Sequence, residues 1–212
     1  MCNCLSGYFG SFCQSKVLNS TIHKNSTILT QEKSLILIED ITKGVFPSDT
    51  KYTLIYQATK HGFLISDFHS KCDGILNTLM IIKTSDSYVF GGFTTRDWSN
   101  NEEGNNFKSD SNAFLFSLVN PFNQAVIMKI DLSEIAIRSD ESSINFGYEL
   151  VINDNSEQII NYAWLGSLNS YRLPTFLNQT GSLLIGNETN FLTYEIEVYS
   201  LNLNRKFIVY NI

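Results

Sequence analysis

Glu195 and Glu197 have the residue types and spacing that acid–base chemistry requires. They flank Ile196 in a segment with the composition of a β-strand, so both carboxylates are predicted to lie on one face. Two neighbouring carboxyl groups can serve as general acid and general base. We favour a solvated face, or a charged surface that meets a basic partner, because charged side chains are rarely buried.

A histidine and a cysteine, His69 and Cys72, lie three residues apart in a predicted helix, and His61 precedes that helix. A Cys–His nucleophile needs the imidazole within hydrogen-bond reach of the sulfur and a third group that orients the ring. Cys72 shares its helix face with Ile65 and Phe68, so we expect a buried thiol with a raised pKa. The pattern favours a core cysteine over a catalytic or peroxide-sensing one.

The run Phe90-Gly91-Gly92-Phe93 contains the glycines of a phosphate-binding loop but not the Lys-Ser/Thr that follows them in such loops. We interpret it as part of a strand in which both aromatic rings pack inward. The glycine pair then permits a bulge or a close backbone approach. The sequence predicts no catalytic residue, no cofactor and no metal site here.

Cys2, Cys4 and Cys13 follow the pattern Cys-x-Cys-x2-Gly-aromatic-x-Gly-x2-Cys, which resembles the C-terminal half of an epidermal-growth-factor-like module. Three interpretations stay open: the end of a longer extracellular array, a chance arrangement, or a zinc site completed by His23. Four glycosylation sequons, at Asn19, Asn25, Asn178 and Asn187, suit an extracellular chain, although several are expected by chance in so polar a sequence. The compartment, cytoplasmic or extracellular, is left open.

Helical and extended segments alternate along the chain. Apolar spacing predicts a helix from Thr30 to Gly44 and a second over residues 65–73, ended by Gly74. Strands are predicted at residues 52–56, 78–83, 87–93, 113–118, 124–131, 148–153, 182–185 and 191–199. Many strands with few helices favour a mainly β fold, a two-sheet antiparallel β-sandwich with flanking helices.

Composition excludes several classes of protein. Hydrophobic residues make up 43% of the 212, enough for a core. The net charge is −6 and no basic block occurs, which argues against nucleic-acid binding. The longest aliphatic run, residues 35–38, is far too short to cross a bilayer, so no transmembrane segment is expected. No signal peptide is recognised either.

Residues 54–118 resemble the TLDc domain family. The similarity is carried by Leu54-Ile55-Tyr56 with His61-Gly62, by Tyr88-Val89-Phe90-Gly91-Gly92-Phe93 and Trp98, and by Phe114-Leu115-Phe116. Phe146-Gly147-Tyr148-Glu149 and Glu195-Ile196-Glu197-Val198-Tyr199 extend it toward the C-terminus. Two departures are the missing aromatic–glycine step at residues 106–110 and Gly147-Tyr148-Glu149 in place of Gly-Gly-Asp.

The domain boundaries follow from this similarity. We predict a Cys-rich segment at residues 1–13, a linker at 14–27, a TLDc-like domain at 28–200 and an extension at 201–212. The resemblance implies a non-enzymatic β-sandwich without cofactor, linked to oxidative-stress resistance, that binds peripheral subunits of the vacuolar proton-pumping ATPase. Expected partner contacts are Glu195, Glu197, Asp154 and Trp98. The alternative is an extracellular adhesion or ligand-binding module that carries an EGF-like array.

Overall fold

The computed structural model describes residues 22–30, 38, 41–42, 45–47, 49–100, 106–131, 135–163, 170–172, 184–185 and 189–203. Its helices are a 3-10 helix (Ile22–Asn25), α1 (Ala58–His61) and α2 (Ile65–Cys72). The strands are β1 (Lys51–Gln57), β2 (Thr78–Thr84), β3 (Val89–Thr94), β4 (Phe107–Lys108), β5 (Phe114–Val119), β6 (Val126–Ile130), β7 (Ile137–Ser139), β8 (Ser143–Phe146), β9 (Leu150–Asn153), β10 (Asn161–Ala163), β11 (Tyr171–Arg172), β12 (Asn190–Phe191) and β13 (Thr193–Asn202).

The strands form two antiparallel sheets. The first has the order β1-β13-β2-β3-β5-β6-β11, and the second has the order β12-β10-β9-β8-β7-β4. β13 is the longest strand and pairs with β1 on one side and β2 on the other. The predicted two-sheet β-sandwich is therefore confirmed.

Apolar side chains cover both faces of the first sheet. Ile82, Phe90 and Ile196 point from its inner face into a core shared with the second sheet and α2. Leu79 and Ile81 point from its outer face into a separate cluster. The alternation of side chains along each strand produces these two layers.

The outer cluster is covered by residues that precede β1. Ile22, Ile28, Leu29 and Ile38 are all buried there. The structure thus differs from the predicted linker over residues 22–27, since this part of the segment packs on the sheet.

Gly92 lies at a close approach between the sheets. A Cβ atom at this position would lie 2.7 Å from Cε1 and Cζ of Phe146, which projects from β8. A Cβ at Gly91 would likewise meet the ring of Phe116, at 2.8 Å. Of the two alternatives predicted for this glycine pair, a bulge or a close backbone approach, the contacts at Gly91 and Gly92 match the second.

The predicted elements match the structure best where the pattern is long. α2 begins at Ile65 and buries Ile65, Phe68 and Cys72, as predicted. Of the predicted helix that begins at Thr30, the described residues Ile38, Ile41 and Thr42 are helical. The strand predicted at residues 182–185 is wrong at its described end, where Leu184 and Ile185 form a turn. Five short strands, β4, β7, β8, β10 and β11, were not predicted.

Candidate functional site

Glu195 and Glu197 lie side by side on the outer face of β13 and are only 2% and 0% exposed. Ile196 and Val198 point to the opposite face, so the predicted alternation along this strand is confirmed. The solvated face that we predicted for the two carboxylates is wrong. Residues 26–28 cover the pair from outside, leaving no carboxylate surface for a partner to contact.

Hydrogen-bond donors surround Glu197 on both oxygens. Oε1 accepts from the Thr27 N–H at 2.5 Å, from Thr27 Oγ1 at 3.0 Å and from the Ile28 N–H at 3.3 Å. Oε2 accepts from Ser26 Oγ at 2.6 Å and from Tyr199 Oη at 2.9 Å. These bonds replace the water that the carboxylate loses on burial.

Glu195 is enclosed in the same way by residues from the end of β1 and the start of α1. Its Oε1 accepts from the Thr59 and Ile196 N–H groups, both at 3.0 Å. Oε2 accepts from Thr59 Oγ1 and, at 3.4 Å, from Gln57 Nε2. Thr27 Oγ1 lies between the two carboxylates, 3.4 Å from Glu195 Oε2.

The hydrogen-bond donors to Glu195 and Glu197 are all uncharged groups. Lys83 is paired with Glu195 on the neighbouring strand β2, but its Nζ sits 5.0 Å from the ring centre of Tyr194. Among the described residues, no lysine or arginine hydrogen-bonds to Glu195 or Glu197. A carboxylate pair saturated by backbone and hydroxyl donors holds the N-terminal segment in place, and its oxygens are not free to take a proton from a substrate.

Trp98 is also buried, with 0% of its surface exposed. Its ring contacts Phe68 and Phe146 edge-on, with centroids 5.4 and 5.3 Å away. Nε1 donates to Thr78 Oγ1 at 2.9 Å. Trp98 therefore packs inside the sandwich, and the structure does not place it at the surface as the predicted partner contact.

Asp154 positions a helix. Its Oδ1 accepts from the Ile65 N–H at 2.7 Å, at the first residue of α2, where the backbone N–H has no partner within the helix. The carboxylate is half-buried, and its negative charge is favourable at a helix N-terminus. Asp154 therefore joins the β9–β10 connection to α2.

Cys72 is buried, and burial raises the pKa of its thiol, with a further contribution from Asp73. The predicted core cysteine is thus confirmed. His69 makes its contacts elsewhere: Nδ1 lies 2.7 Å from Asp73 Oδ1, and Nε2 lies 3.1 Å from Ser139 Oγ. The protonated thiol is a poor nucleophile.

Ser139, His69 and Asp73 have the relative contacts of a Ser–His–Asp triad. Ser139 is 2% exposed, however, so its hydroxyl does not face a substrate site. The contact instead fastens α2 to β7. Sequence analysis missed this cluster because Ser139 lies 70 residues from His69 and carries no local signal.

Glu149, at the departure from Gly-Gly-Asp, is a third buried carboxylate. Oε1 accepts from the Ser170 N–H at 2.5 Å, and Oε2 accepts from the Tyr148 N–H at 2.9 Å. Burial raises the pKa of Glu149 and outweighs the backbone hydrogen bonds, which lower it. Gly147 has φ +57°, and a Cβ there would lie 2.1 Å from Glu149 Oε2. Glu149 thus stabilises the β8–β9 turn and connects it to Ser170.

A cleft of about 450 Å³ lies beside the β7–β8 turn. It is lined by Asn100, Asn106, Asp140, Glu141 and Ser142. Within the described ranges, no group of three or more His, Cys, Asp or Glu side chains is arranged to hold a metal ion. None of the helices in these ranges has the length and apolar character needed to cross a bilayer.

Comparison with known proteins identifies the family of this domain. The TLDc domain family matches residues 22–202. The chain belongs to the TLDc domain family. The matched range of this TLDc domain includes Ser26, Thr27, Glu195 and Glu197, and therefore the whole carboxylate cluster. It begins after residues 1–13, which also lie outside the described residues, so nothing supports the EGF-like segment or the zinc alternative.

Curated relatives share parts of the TLDc domain. TBC1 domain family member 24 of Xenopus tropicalis is 31% identical over 98 residues, covering 43% of this chain and 17% of the relative. The MTOR-associated protein MEAK7 of Xenopus laevis is 37% identical over 71 residues, or 32% and 14% of the two chains. The matched part is less than a fifth of either relative's length.

Proposed function

We propose that this TLDc domain is a non-enzymatic protein-interaction domain that binds peripheral subunits of the vacuolar proton-pumping ATPase and so contributes to oxidative-stress resistance. The burial of the side chains that could take part in catalysis supports this proposal. Glu149, Glu195, Glu197, Cys72 and Ser139 are each 2% exposed or less. Their reactive atoms form hydrogen bonds within the fold or lie in the core. We therefore expect the domain to act through contacts made by its surface.

The name of one relative is consistent with an interaction role. MEAK7 is named as MTOR-associated, and the similarity to it covers 71 residues. An association with a large assembly is the kind of activity that a β-sandwich with surface loops can provide without a catalytic site. The identity of the assembly bound by this chain is the part of the proposal that an experiment must decide.

The full chain, immobilised after circular dichroism shows it folded, is exposed to the purified peripheral sector of the proton pump. We expect saturable binding that heat-unfolded chain lacks. A folded chain that does not bind the sector at any accessible concentration overturns the pump as partner.

A second measurement tests whether the chain acts on the pump as a binding domain or as an enzyme. ATP hydrolysis by the pump is followed while the chain is added from trace to equimolar amounts. A binding domain changes the rate in proportion to the pump occupied, and Ser139→Ala and Cys72→Ala preserve that change. A full effect at trace amounts that either substitution abolishes would show an enzyme instead.

A further inference from the structure

Acidic connections come together at one end of the strands of the second sheet, which we call the acidic edge. The β7–β8 turn (residues 140–142) and the β9–β10 loop (residues 154–160) lie next to each other, because the Asp154 N–H donates to Ser142 O at 3.0 Å. Glu141 is exposed on the turn and Glu157 is half-buried on the loop. No lysine or arginine occurs in the sequence between Arg138 and Arg172.

The two glutamates of this edge keep their negative charge uncompensated. Arg138, in β7 just before the turn, is paired with Asp140, with Nη2 2.6 Å from Oδ2. Among the described residues neither Glu141 nor Glu157 makes an ion pair. Glu157 Oε1 accepts from Gln158 Nε2 at 3.3 Å, and Oε2 is buried without a hydrogen-bond partner. The lysines of the adjoining helices, Lys60 and Lys71, are exposed to solvent.

Aliphatic side chains stand beside these charges. Ile159 and Ile160, on the β9–β10 loop, are each 49% exposed. Leu64 is 40% exposed and precedes Ile65, which is bound to Asp154 on the same loop. Consecutive exposed isoleucines on a loop are costly in water and are typical of contact surfaces.

The cleft beside the β7–β8 turn adds hydrogen-bond acceptors. Asn106, one of its lining residues, has a side-chain oxygen that is buried without a hydrogen-bond partner. Its other lining side chains are carboxylates, an amide and a hydroxyl, which all accept hydrogen bonds. A lysine or arginine side chain matches this lining in both charge and donors.

We propose that this edge, defined by Glu141, Glu157, Ile159 and Ile160, binds a Lys/Arg-rich protein segment that carries aliphatic side chains. The inference rests on the proposed interaction function and specifies the chemistry of the partner. Phosphate-bearing partners such as nucleic acids and anionic lipids are repelled by the same charges. A second copy of this chain is a poor occupant, because each copy has a net charge of −6.

The test uses the full chain and a short synthetic peptide in which lysine and leucine alternate. A matched peptide has glutamate in place of lysine. We expect only the lysine peptide to bind, with an affinity that falls as salt is added. The double variants Glu141→Gln/Glu157→Gln and Ile159→Asn/Ile160→Asn each weaken binding by about tenfold.

Two control variants remove an acidic and an apolar side chain away from this edge. Asp49→Asn removes an exposed charge before β1, and Phe122→Ser removes a 39%-exposed ring from the β5–β6 turn. Neither should alter peptide affinity. Equal losses in the controls, equal binding of the glutamate peptide, or dimerisation of the chain abolished by the edge variants would each overturn the proposal.

Binding of the pump sector separates this inference from the proposed function. If wild-type chain and both edge variants bind the sector equally, the edge is not the docking surface and the interaction function stands. If the sector never binds while the lysine peptide binds through Ile159 and Glu157, the edge stands and the pump is the wrong partner.

Discussion

Thr27 and Glu197 lie 170 residues apart in the chain, and the N–H and Oγ1 of Thr27 both donate to Glu197 Oε1, at 2.5 and 3.0 Å. This contact ties the segment before β1 to β13, which lies between β1 and β2 in the first sheet. Ile28 and Leu29 follow directly in sequence and are buried in the outer cluster. The polar contact of Thr27 therefore also fixes where these two apolar side chains pack on the sheet.

Glu197→Leu is expected to lower the free energy of unfolding by about 3 kcal/mol, because the Thr27 N–H loses its carboxylate acceptor and the Ile28 N–H keeps only Ser26 Oγ, at 3.2 Å. Glu197→Gln should cost about 1 kcal/mol, since its oxygen keeps those bonds and the Ser26 and Tyr199 hydroxyls can rotate to accept. Urea unfolding measures both. A leucine variant as stable as wild type would contradict this role of the cluster.

Asp154→Ala is expected to destabilise α2 by about 1 kcal/mol, because the Ile65 N–H loses its acceptor. Asp154→Asn keeps an oxygen at the same place and should cost less. Hydrogen exchange of the α2 amides provides the readout. Unchanged exchange in the alanine variant would show that the helix needs no such partner.

Gly92→Ala should destabilise the sandwich by about 2 kcal/mol, since the new methyl group lies against the Phe146 ring. Adding Phe146→Leu should recover part of the loss. Gly74→Ala is the comparison, because a Cβ there meets nothing within 4 Å and only its φ of +72° opposes it. Chemical denaturation of the three variants tests this, and equal stability of Gly92→Ala and wild type would refute the close approach.

Glu149 makes stability depend on pH. Its pKa in the folded protein is raised above 4.5, so the folded state holds the proton to higher pH than the unfolded chain does. Its contribution is complete below the ordinary pKa and is lost as pH rises through the raised value. Relative to Glu149→Gln, wild type should lose stability as pH rises above 4.5. Unfolding measured across this range should show that decline; a rise would contradict it.

Cys72 should resist alkylation in the folded protein. Because burial keeps the thiol protonated, iodoacetamide labelling at mildly alkaline pH is expected to be at least about 100-fold slower than in urea. Mass spectrometry of the peptide that contains Cys72 distinguishes it from the other cysteines. His69→Ala should leave the rate unchanged, whereas a slower rate would show that the histidine activates the sulfur.

Local periodicity was enough to predict the sandwich and its core faces. α2 follows from the spacing of Ile65, Phe68 and Cys72, and the inner face of β13 follows from the alternation at Ile196 and Val198. Two- and three-residue strands such as β4 and β11 carry too few residues for any period, so their pairing depends on neighbours distant in sequence.

The sequence by itself determined which side chains share a face, because that depends on bonds between adjacent residues. Tertiary structure alone decided which faces meet water. Glu197 is buried because Ser26 and Thr27, distant in sequence, supply donors to its carboxylate. Glu195 is buried because Gln57 and Thr59 do the same. Trp98 is buried because Phe68 and Phe146 enclose it. Burial depends on what packs opposite a residue, and no pattern within one segment records that.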